Sequence, residues 1–341
     1  MNFSAELPPW LAGAWQAFTA TRARDRLPHA WLLSGPEGLG KGEFADRVAA
    51  ALLCQAPSED GRACGHCRSC HLFGNGTHPD FHGVGLLLKG DLLDGKPVRS
   101  DATAIRIDQI RALSESLALR PQFGRYRIAV IDPADKMNAG SANGLLKTLE
   151  EPNDETLLML VTSQAWRLPS TVRSRCQELR FSPPSPEDAA AWLQGQGVAD
   201  DARTLLALAD GSPLRARELD GSGVGQQRLE AFGALEQMQA GRRDPVAIAA
   251  DWSRDHPARR LEWLHGWLVD MIRIASSGQP PRLDHADLAE GLARLAHGMP
   301  LPVLYNLHDQ VQRARRLTAT TVSDQLLLED VLLGWVAETR G

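Results

Sequence analysis

A glycine-rich stretch near the start of the chain has the spacing of a phosphate-binding loop. That motif requires two glycines five positions apart, then a lysine, then a serine or threonine. Gly35, Gly40 and Lys41 fill the first three positions, with Gly38 between them, but Gly42 stands at the fourth. The missing hydroxyl normally helps to hold the magnesium ion that bridges the transferring phosphates. The loop therefore predicts a degenerate cradle that could hold ATP or ADP but would split it poorly.

The carboxylates that hydrolysis needs are also incomplete. A working site has an acidic pair at a strand end, one to hold the metal ion and one to polarise the attacking water. The apolar run at 126–131 ends in Asp132, which is placed for the metal, but Pro133 follows it and Asp135 lies two residues further on. Together with Gly42 this is a second, independent defect, and we expect the chain to hydrolyse little ATP by itself.

Two further positions could contact a nucleotide. Thr162 and Ser163 end another apolar run, where a polar side chain either senses a γ-phosphate or simply caps the strand. Arg175 follows a helix-like stretch and precedes the last strand-like segment. An arginine exposed at the edge of such a domain can stabilise the charge on a nucleotide bound by a neighbouring subunit. The alternative is a solvated surface residue, as for Arg173 and Arg180.

Four of the five cysteines lie within a short stretch, and only Cys176 stands apart. Cysteines clustered in this way favour metal binding over disulfides in an intracellular chain. The clustered residues are Cys54, Cys64, Cys67 and Cys70. Four thiolates fill the tetrahedral shell of zinc and leave no open position, so we predict one structural zinc ion per chain.

Other interpretations of the cysteine cluster remain. The nearby histidines that could replace a cysteine as ligand are His66, His71, His78 and His82. An iron–sulfur cluster would use the same thiolates, and free thiols are the alternative without a metal. A redox role is disfavoured, because one pair of cysteines would serve it and the others would be spare.

The elements that must position these residues alternate between two patterns. Short apolar runs, typical of buried strands, lie at 30–34, 126–131 and 157–162, and 177–181 is a candidate for a fourth strand. Helical patterns lie at 41–53, 107–119 and 138–151. The alternation predicts a parallel sheet covered by helices. The order strand, glycine loop, helix is also the setting that a phosphate loop requires.

The chain changes character at a proline-rich joint. Pro183, Pro184 and Pro186 mark a domain boundary. Beyond this joint we predict helices and no strand, with a second soft joint at 221–223. The first half of the chain is therefore expected to be α/β and the second half all-α.

Composition sets broad limits on function. The 341 residues are 43% hydrophobic and 23% charged, with a net charge of -5, which fits a globular protein of two or three domains. The charge excludes a basic surface over the whole chain, so nucleic acid would have to be contacted locally or through other subunits. The sequence has no membrane-spanning run and no secretory signal pattern, so we expect a cytoplasmic protein.

Several motifs together resemble the bacterial clamp-loader branch of the AAA+ ATPases. The most specific are NGLLKTLEEP at 143–152, the triplet Ser174-Arg175-Cys176 and the four-cysteine insert after the phosphate loop. Weaker matches, which extend the resemblance over nearly the whole chain, lie at 29–33, 77–80, 107–111 and 326–330. Gly42 and Pro133 resemble the non-hydrolysing member of that branch rather than its ATPase subunits.

The resemblance implies an architecture and a set of partners. It implies an α/β AAA+ domain at 1–182 with a zinc module at about 54–70, a small helical lid at 183–221 and a helical collar at 222–341. It implies a ring with the gamma/tau and delta subunits of DNA polymerase III, which loads a sliding clamp onto primed DNA during replication. By the same match, Arg175 would be an arginine finger for ATP on a neighbouring gamma/tau subunit.

The resemblance also leaves questions at single residues. Arg215, in the segment GSPLR, matches a lid arginine that senses nucleotide in active relatives, and here it is either a sensor or a remnant. Lys41 is kept although not every non-hydrolysing member retains it, so nucleotide binding stays open. Two other functions compete, namely an autonomous ATPase of the gamma/tau type and a zinc-dependent DNA-binding protein. Gly42 and Pro133 count against the first, and the lack of a basic face counts against the second.

Overall fold

The computed structural model describes residues 7–89, 91–93, 96–97, 102–277, 283–318 and 322–340. The chain forms two compact units, Met1–Ser185 and Pro186–Gly341. The division between them falls three residues beyond the end of the AAA+ domain predicted at 1–182. The further division of the second unit into lid and collar stays a prediction.

The first unit is built on a five-stranded parallel sheet in the order β2-β5-β6-β1-β7. Its strands are β1 (Ala30–Ser34), β2 (Phe81–Val84), β5 (Arg127–Ile131), β6 (Thr156–Thr162) and β7 (Gln177–Arg180). A separate antiparallel pair is formed by β3 (Leu92–Leu93) and β4 (Lys96–Pro97). The predicted parallel sheet is confirmed, but edge strand β2 was missed by the sequence analysis.

Helices cover both faces of this sheet. They are α1 (Ala12–Ala23), α2 (Lys41–Leu53), α3 (Arg68–Gly74), α4 (Ile107–Leu117), α5 (Ala139–Glu150) and α6 (Ser170–Arg173). Short 3-10 turns lie at Pro9–Leu11, Ala134–Lys136 and Ala165–Arg167. Helix α4 ends two residues before the predicted end at 119, because the chain turns at Ala118.

The central strands are mainly apolar, with polar residues only at their ends, because both of their faces are buried. All seven residues of β6 are buried, and successive side chains enter opposite cores. Met159 and Val161 pack into the core that contains α2, whereas Leu158 and Leu160 pack into the core that contains α4 and α5. This two-sided packing fixes the register of the sheet, and with it the position of every strand end.

The second unit contains helices only among its described residues, as predicted. They are α7 (Pro186–Gly195), α8 (Ala202–Leu208), α9 (Pro213–Leu219), α10 (Val224–Gln239), α11 (Pro245–Ser253), α12 (Pro257–Ser277), α13 (Ala289–Ala296), α14 (Leu301–Leu317) and α15 (Asp324–Arg340), with a 3-10 turn at Ala286–Leu288. Helices α7 to α9 enclose one small core, and α10 to α15 enclose a larger one. Within the part of the chain that the structure describes, no helix is long and apolar enough to cross a membrane.

Candidate functional site

The glycine loop leads from β1 into α2 with the backbone that a phosphate cradle needs. Gly38 has φ +75°, and Gly40, the residue that precedes α2, has φ +83°. Residues with a side chain rarely adopt such positive φ angles, so these positions favour glycine. At Gly35 a Cβ would lie 2.4 Å from the carbonyl oxygen of Phe181. The loop therefore keeps the shape that directs backbone N–H groups and a helix N-terminus toward an anion.

Lys41 is buried and bridges the loop to the end of a neighbouring strand. Its Nζ donates to the carbonyl oxygen of Pro36 at 2.5 Å and to the hydroxyl of Ser163 at 3.3 Å. Burial lowers the pKa of Lys41 below its usual range, although the carboxylates of Asp132, Glu37 and Asp135 oppose the shift. Ser163 follows β6, so strand order explains how a residue so distant in sequence reaches the lysine.

The absent side chain at Gly42 and the position of Asp132 are connected. A Cβ at Gly42 would lie only 2.5 Å from Oδ2 of Asp132. Burial raises the pKa of Asp132, while Lys41 opposes the rise and Asp135 and Glu37 add to it. A side chain at position 42 would therefore meet the carboxylate that is placed to hold the same metal ion.

Restoring that hydroxyl is expected to change stability little and to create no ATPase. We expect Gly42→Ser and its matched control Gly42→Ala each to change the free energy of unfolding by less than about 1 kcal/mol, because the helix propensity gained over glycine offsets the rotation of Asp132 away from the new Cβ. Urea unfolding measures this change. Neither isolated variant should turn over ATP, because Pro133 still stands where the water-polarising acid is needed. Turnover by Gly42→Ser alone would show that the hydroxyl is the only defect.

The side chains of Asp135 and Thr162 are joined by a hydrogen bond. The buried Thr162 donates its hydroxyl hydrogen to Oδ1 of Asp135 at 2.6 Å and accepts the backbone N–H of Gln164 at 3.0 Å. The same carboxylate oxygen accepts the N–H of Ser163 at 3.3 Å. These are the contacts of a strand-end cap. They keep the carboxylate of Asp135 from serving as the water-polarising acid that is missing at Pro133.

One titratable residue near the loop was missed by the sequence analysis. Asp46, on α2, has its pKa raised to about 6 by burial, with smaller contributions from the charges of Asp132 and Glu43. No motif marks this position, and only the packing of α2 brings it close to Asp132.

Arg175 lies just after α6 and is held by two acceptors. One terminal nitrogen of its guanidinium lies 2.6 Å from Oε1 of Glu150, and the other donates to the backbone carbonyl oxygen of Thr171 at 2.7 Å. About one third of the side chain (34%) stays exposed. Arg173 and Arg180 are exposed to a greater degree. Arg175 thus has a defined position at the surface.

Arg215 lies in α9 of the second unit. Its guanidinium pairs with Glu262 of α12 at 3.1 Å and approaches Asp210 at 3.7 Å. The side chain is 32% exposed. Its charge is therefore balanced within the second unit, by residues that sequence analysis did not connect with it.

The four clustered cysteines converge as a metal site requires. All four sulfur atoms lie within 4.8 Å of one another, and the closest pairs are 3.9 Å apart. A tetrahedral zinc ion with bonds of about 2.3 Å separates its sulfurs by about 3.8 Å. The set consists of Cys54, Cys64, Cys67 and Cys70. The arrangement fits a structural zinc ion, and no other such group of three or more ligands occurs among the described residues.

Helix ends and backbone N–H groups support the cysteine site. Cys54 follows the last residue of α2, and Cys67 precedes the first residue of α3. The sulfurs of Cys54, Cys64 and Cys67 accept backbone N–H groups at 3.3 to 3.4 Å. Burial opposes ionisation of Cys67, but hydrogen bonds from the backbones of Cys70 and Gln55 and from neighbouring thiols lower its pKa to about 6. Burial raises the pKa of Cys54 and of Cys70, so among these three thiols Cys67 ionises most readily before a metal ion binds.

The histidines that could have replaced a cysteine as ligand have other contacts. His78 is buried and pairs with the hydroxyl of Ser69 at 2.9 Å. His82 lies 3.2 Å from Arg127, and His66 contacts the carbonyl oxygen of Cys64 at 2.9 Å. The last, His71, is exposed. None of the four belongs to the described metal-ligating group.

The parallel sheet, the glycine loop and the inserted cysteine module define a phosphate-loop protein of the AAA+ type. A family model described as DNA polymerase III, delta subunit matches residues 11–185, and the model for the C terminal part of that subunit matches residues 223–337. Curated relatives with the name DNA polymerase III subunit delta' match over nearly the full length. The chain belongs to this delta-prime family of DNA polymerase III subunits.

Individual relatives show how far the similarity extends. The subunit delta' of Pseudomonas aeruginosa is 31% identical over 98% of both chains, and that of Escherichia coli is 30% identical over 95% of this chain and 94% of the relative. The subunit tau of Escherichia coli is 28% identical over 79% of this chain and 43% of its own length. A solved gamma subunit-related protein of Thermotoga maritima has a TM-score of 0.43 at 15% identity, covering 94% of this chain and 99% of that one.

Proposed function

We propose that this chain is a non-hydrolysing, cytoplasmic subunit of the clamp loader of DNA polymerase III. It acts as a rigid member of a ring with gamma/tau and delta subunits, and it helps to load the sliding clamp onto primed DNA. Arg175 serves as an arginine finger for ATP on an adjacent gamma/tau subunit. One zinc ion, bound by the four clustered cysteines, stabilises the fold.

The observation that carries this proposal is the contrast between the chain's own phosphate loop and Arg175. At the loop, the carboxylate of Asp132 lies beside Gly42, and Asp135 is hydrogen-bonded to Thr162. Arg175 has a fixed guanidinium and a partly exposed side chain. A subunit with this combination is suited to assist hydrolysis in a neighbour rather than to perform it.

The loop itself supports retained nucleotide binding. A phosphate cradle needs positive φ angles, which are unfavourable for residues other than glycine. Gly38 and Gly40 already have such angles. Lys41 contacts the carbonyl of Pro36 and Ser163, and both contacts can be exchanged for phosphate oxygens. We infer that ATP or ADP binds here without turnover. Arg215, paired with Glu262, contributes little to that binding.

Reconstitution tests the proposal. We expect the isolated chain to bind nucleotide without measurable turnover, and a ring of gamma/tau and delta subunits to load clamps efficiently only when this chain is added. Clamp loading and ATP hydrolysis stimulated by the clamp and primed DNA are the measurements. Turnover by the isolated chain that Lys41→Ala abolishes would instead support an autonomous gamma/tau-type ATPase. A ring that loads clamps equally well without the chain would contradict the proposal outright.

A further inference from the structure

We propose that Glu150 is a positioning residue for the arginine finger. It holds the guanidinium of Arg175 in place before a neighbouring subunit binds ATP. This inference rests on the proposed function, because it requires Arg175 to act in trans. It adds a second residue to the machinery, and one that touches no nucleotide itself.

The geometry of the pair carries the inference. Oε1 of Glu150 lies 2.6 Å from one terminal nitrogen of Arg175, and the carbonyl oxygen of Thr171 accepts from the other nitrogen at 2.7 Å. Two acceptors on the two ends of a planar fork fix both its position and the tilt of its plane. A guanidinium has five N–H donors, so these two contacts leave three for a phosphate.

The position of Glu150 at the end of its helix also supports this role. Glu150 is the last residue of α5, where the helix dipole favours a cation and disfavours a carboxylate. The charge of Arg175 compensates for this local disadvantage. Glu151 follows immediately, and both glutamates are exposed, but the ion pair with Arg175 is made by Glu150. Two adjacent carboxylates thus have different surroundings, which provides a matched control.

The Glu150–Arg175 ion pair matters more for placing the guanidinium than for folding stability. The side chains of Arg175 and Glu150 are 34% and 48% exposed, so water screens their attraction and the pair adds little to folding stability. An unanchored arginine, however, must lose rotamer freedom each time it engages a phosphate. A finger that is already anchored avoids that loss in the transition state, which is the stage that sets kcat.

The test uses the complete ring reconstituted with each variant. We expect Glu150→Ala to lower the clamp- and DNA-stimulated kcat for ATP by about 10-fold and Glu150→Gln by about 3-fold, because glutamine keeps an acceptor without its charge. KM for ATP should stay unchanged, because the nucleotide is cradled by the neighbour. Glu151→Ala should behave as wild type. In an Arg175→Ala background, Glu150→Ala should cause no further loss.

Each outcome separates this inference from the proposed function. If Arg175→Ala leaves hydrolysis normal, the finger role fails and the inference fails with it. If Arg175→Ala is defective while both Glu150 variants are normal, only the inference is overturned. An increase in kcat for Glu150→Ala would also overturn it, because Glu150 would then restrain the finger. A loss in Glu150→Ala that persists in the Arg175→Ala background would assign Glu150 a merely structural role.

Discussion

Replacing Arg175 with alanine is expected to slow ATP hydrolysis at the neighbouring site by about 1,000-fold, because an arginine finger contributes three or more powers of ten to the rate. In the proposed role the guanidinium would stabilise charge that develops on the γ-phosphate, so the loss should appear in kcat far more than in KM. Single-turnover hydrolysis in the reconstituted ring, stimulated by the clamp and primed DNA, measures the step directly.

The fold should tolerate the Arg175→Ala change. The side chain is partly exposed, and its removal breaks one screened ion pair with Glu150 and one hydrogen bond to the backbone of Thr171. Assembly of the ring and the thermal unfolding midpoint should therefore stay close to wild type. A rate defect with an intact ring would then report on the finger and not on folding.

Two controls sharpen the Arg175 experiment. Arg173→Ala removes an exposed arginine two residues earlier and should leave the rate unchanged. Arg175→Lys keeps the positive charge but loses the planar fork, so it should recover little of the rate. Full activity in the Arg175→Ala ring would contradict the finger role. Full activity in the Arg175→Lys ring would show that charge alone is sufficient.

The parts of the fold that sequence could predict are those with strong local patterns. Strands β1, β5 and β6 are mainly apolar because they are buried on both faces, and helix α2 is rich in buried apolar residues. Edge strand β2 has only four residues, with a histidine and a glycine among them, and none of the four is fully buried. It is a strand because it pairs with β5, and such pairing with a distant segment leaves no pattern in the local sequence.

The candidate site likewise has features that the local sequence predicts and features that only packing determines. Spacing predicts the glycines of the loop and Lys41, because their roles depend on the local backbone. The contact of Lys41 with Ser163, and that of Arg175 with Glu150, depend on which elements become neighbours in the folded unit. The approach of Asp132 to Gly42 is likewise a property of strand order. Local motifs therefore identify which groups are present, and packing decides which of them meet.

Loss of the metal ion is expected to have the largest effect on stability. We predict that the wild-type chain binds about one zinc ion and that Cys70→Ser binds almost none, because a buried ligand is removed from a closed four-thiolate site. The free energy of unfolding should fall by on the order of 3 kcal/mol, since the binding free energy of a structural zinc ion is also folding free energy. For a unit of this size the midpoint should fall by about 6 to 12 °C.

The damage from metal loss should reach the sheet, because α3 connects the cysteine module to it. Ser69 of α3 donates to the carbonyl oxygen of Leu53 at 2.6 Å, and Phe73 packs 4.7 Å, ring to ring, from Phe81 at the start of β2. Freeing Cys70 of α3 from the metal ion loosens both contacts, so hydrogen exchange should increase in β2 as well as in the module.

Elemental analysis, thermal unfolding and hydrogen exchange measure the effect of Cys70→Ser, with Cys176→Ser as the matched control. Cys176 is the one cysteine outside the cluster, so its replacement should leave the zinc content at about one. An iron–sulfur cluster would colour the purified protein, whereas zinc leaves it colourless. Zinc far below one per chain in freshly purified wild type, or equal stability of the two serine variants, would contradict a structural zinc site. A stable zinc-free chain would mean that α2 and α3 are held together by packing alone.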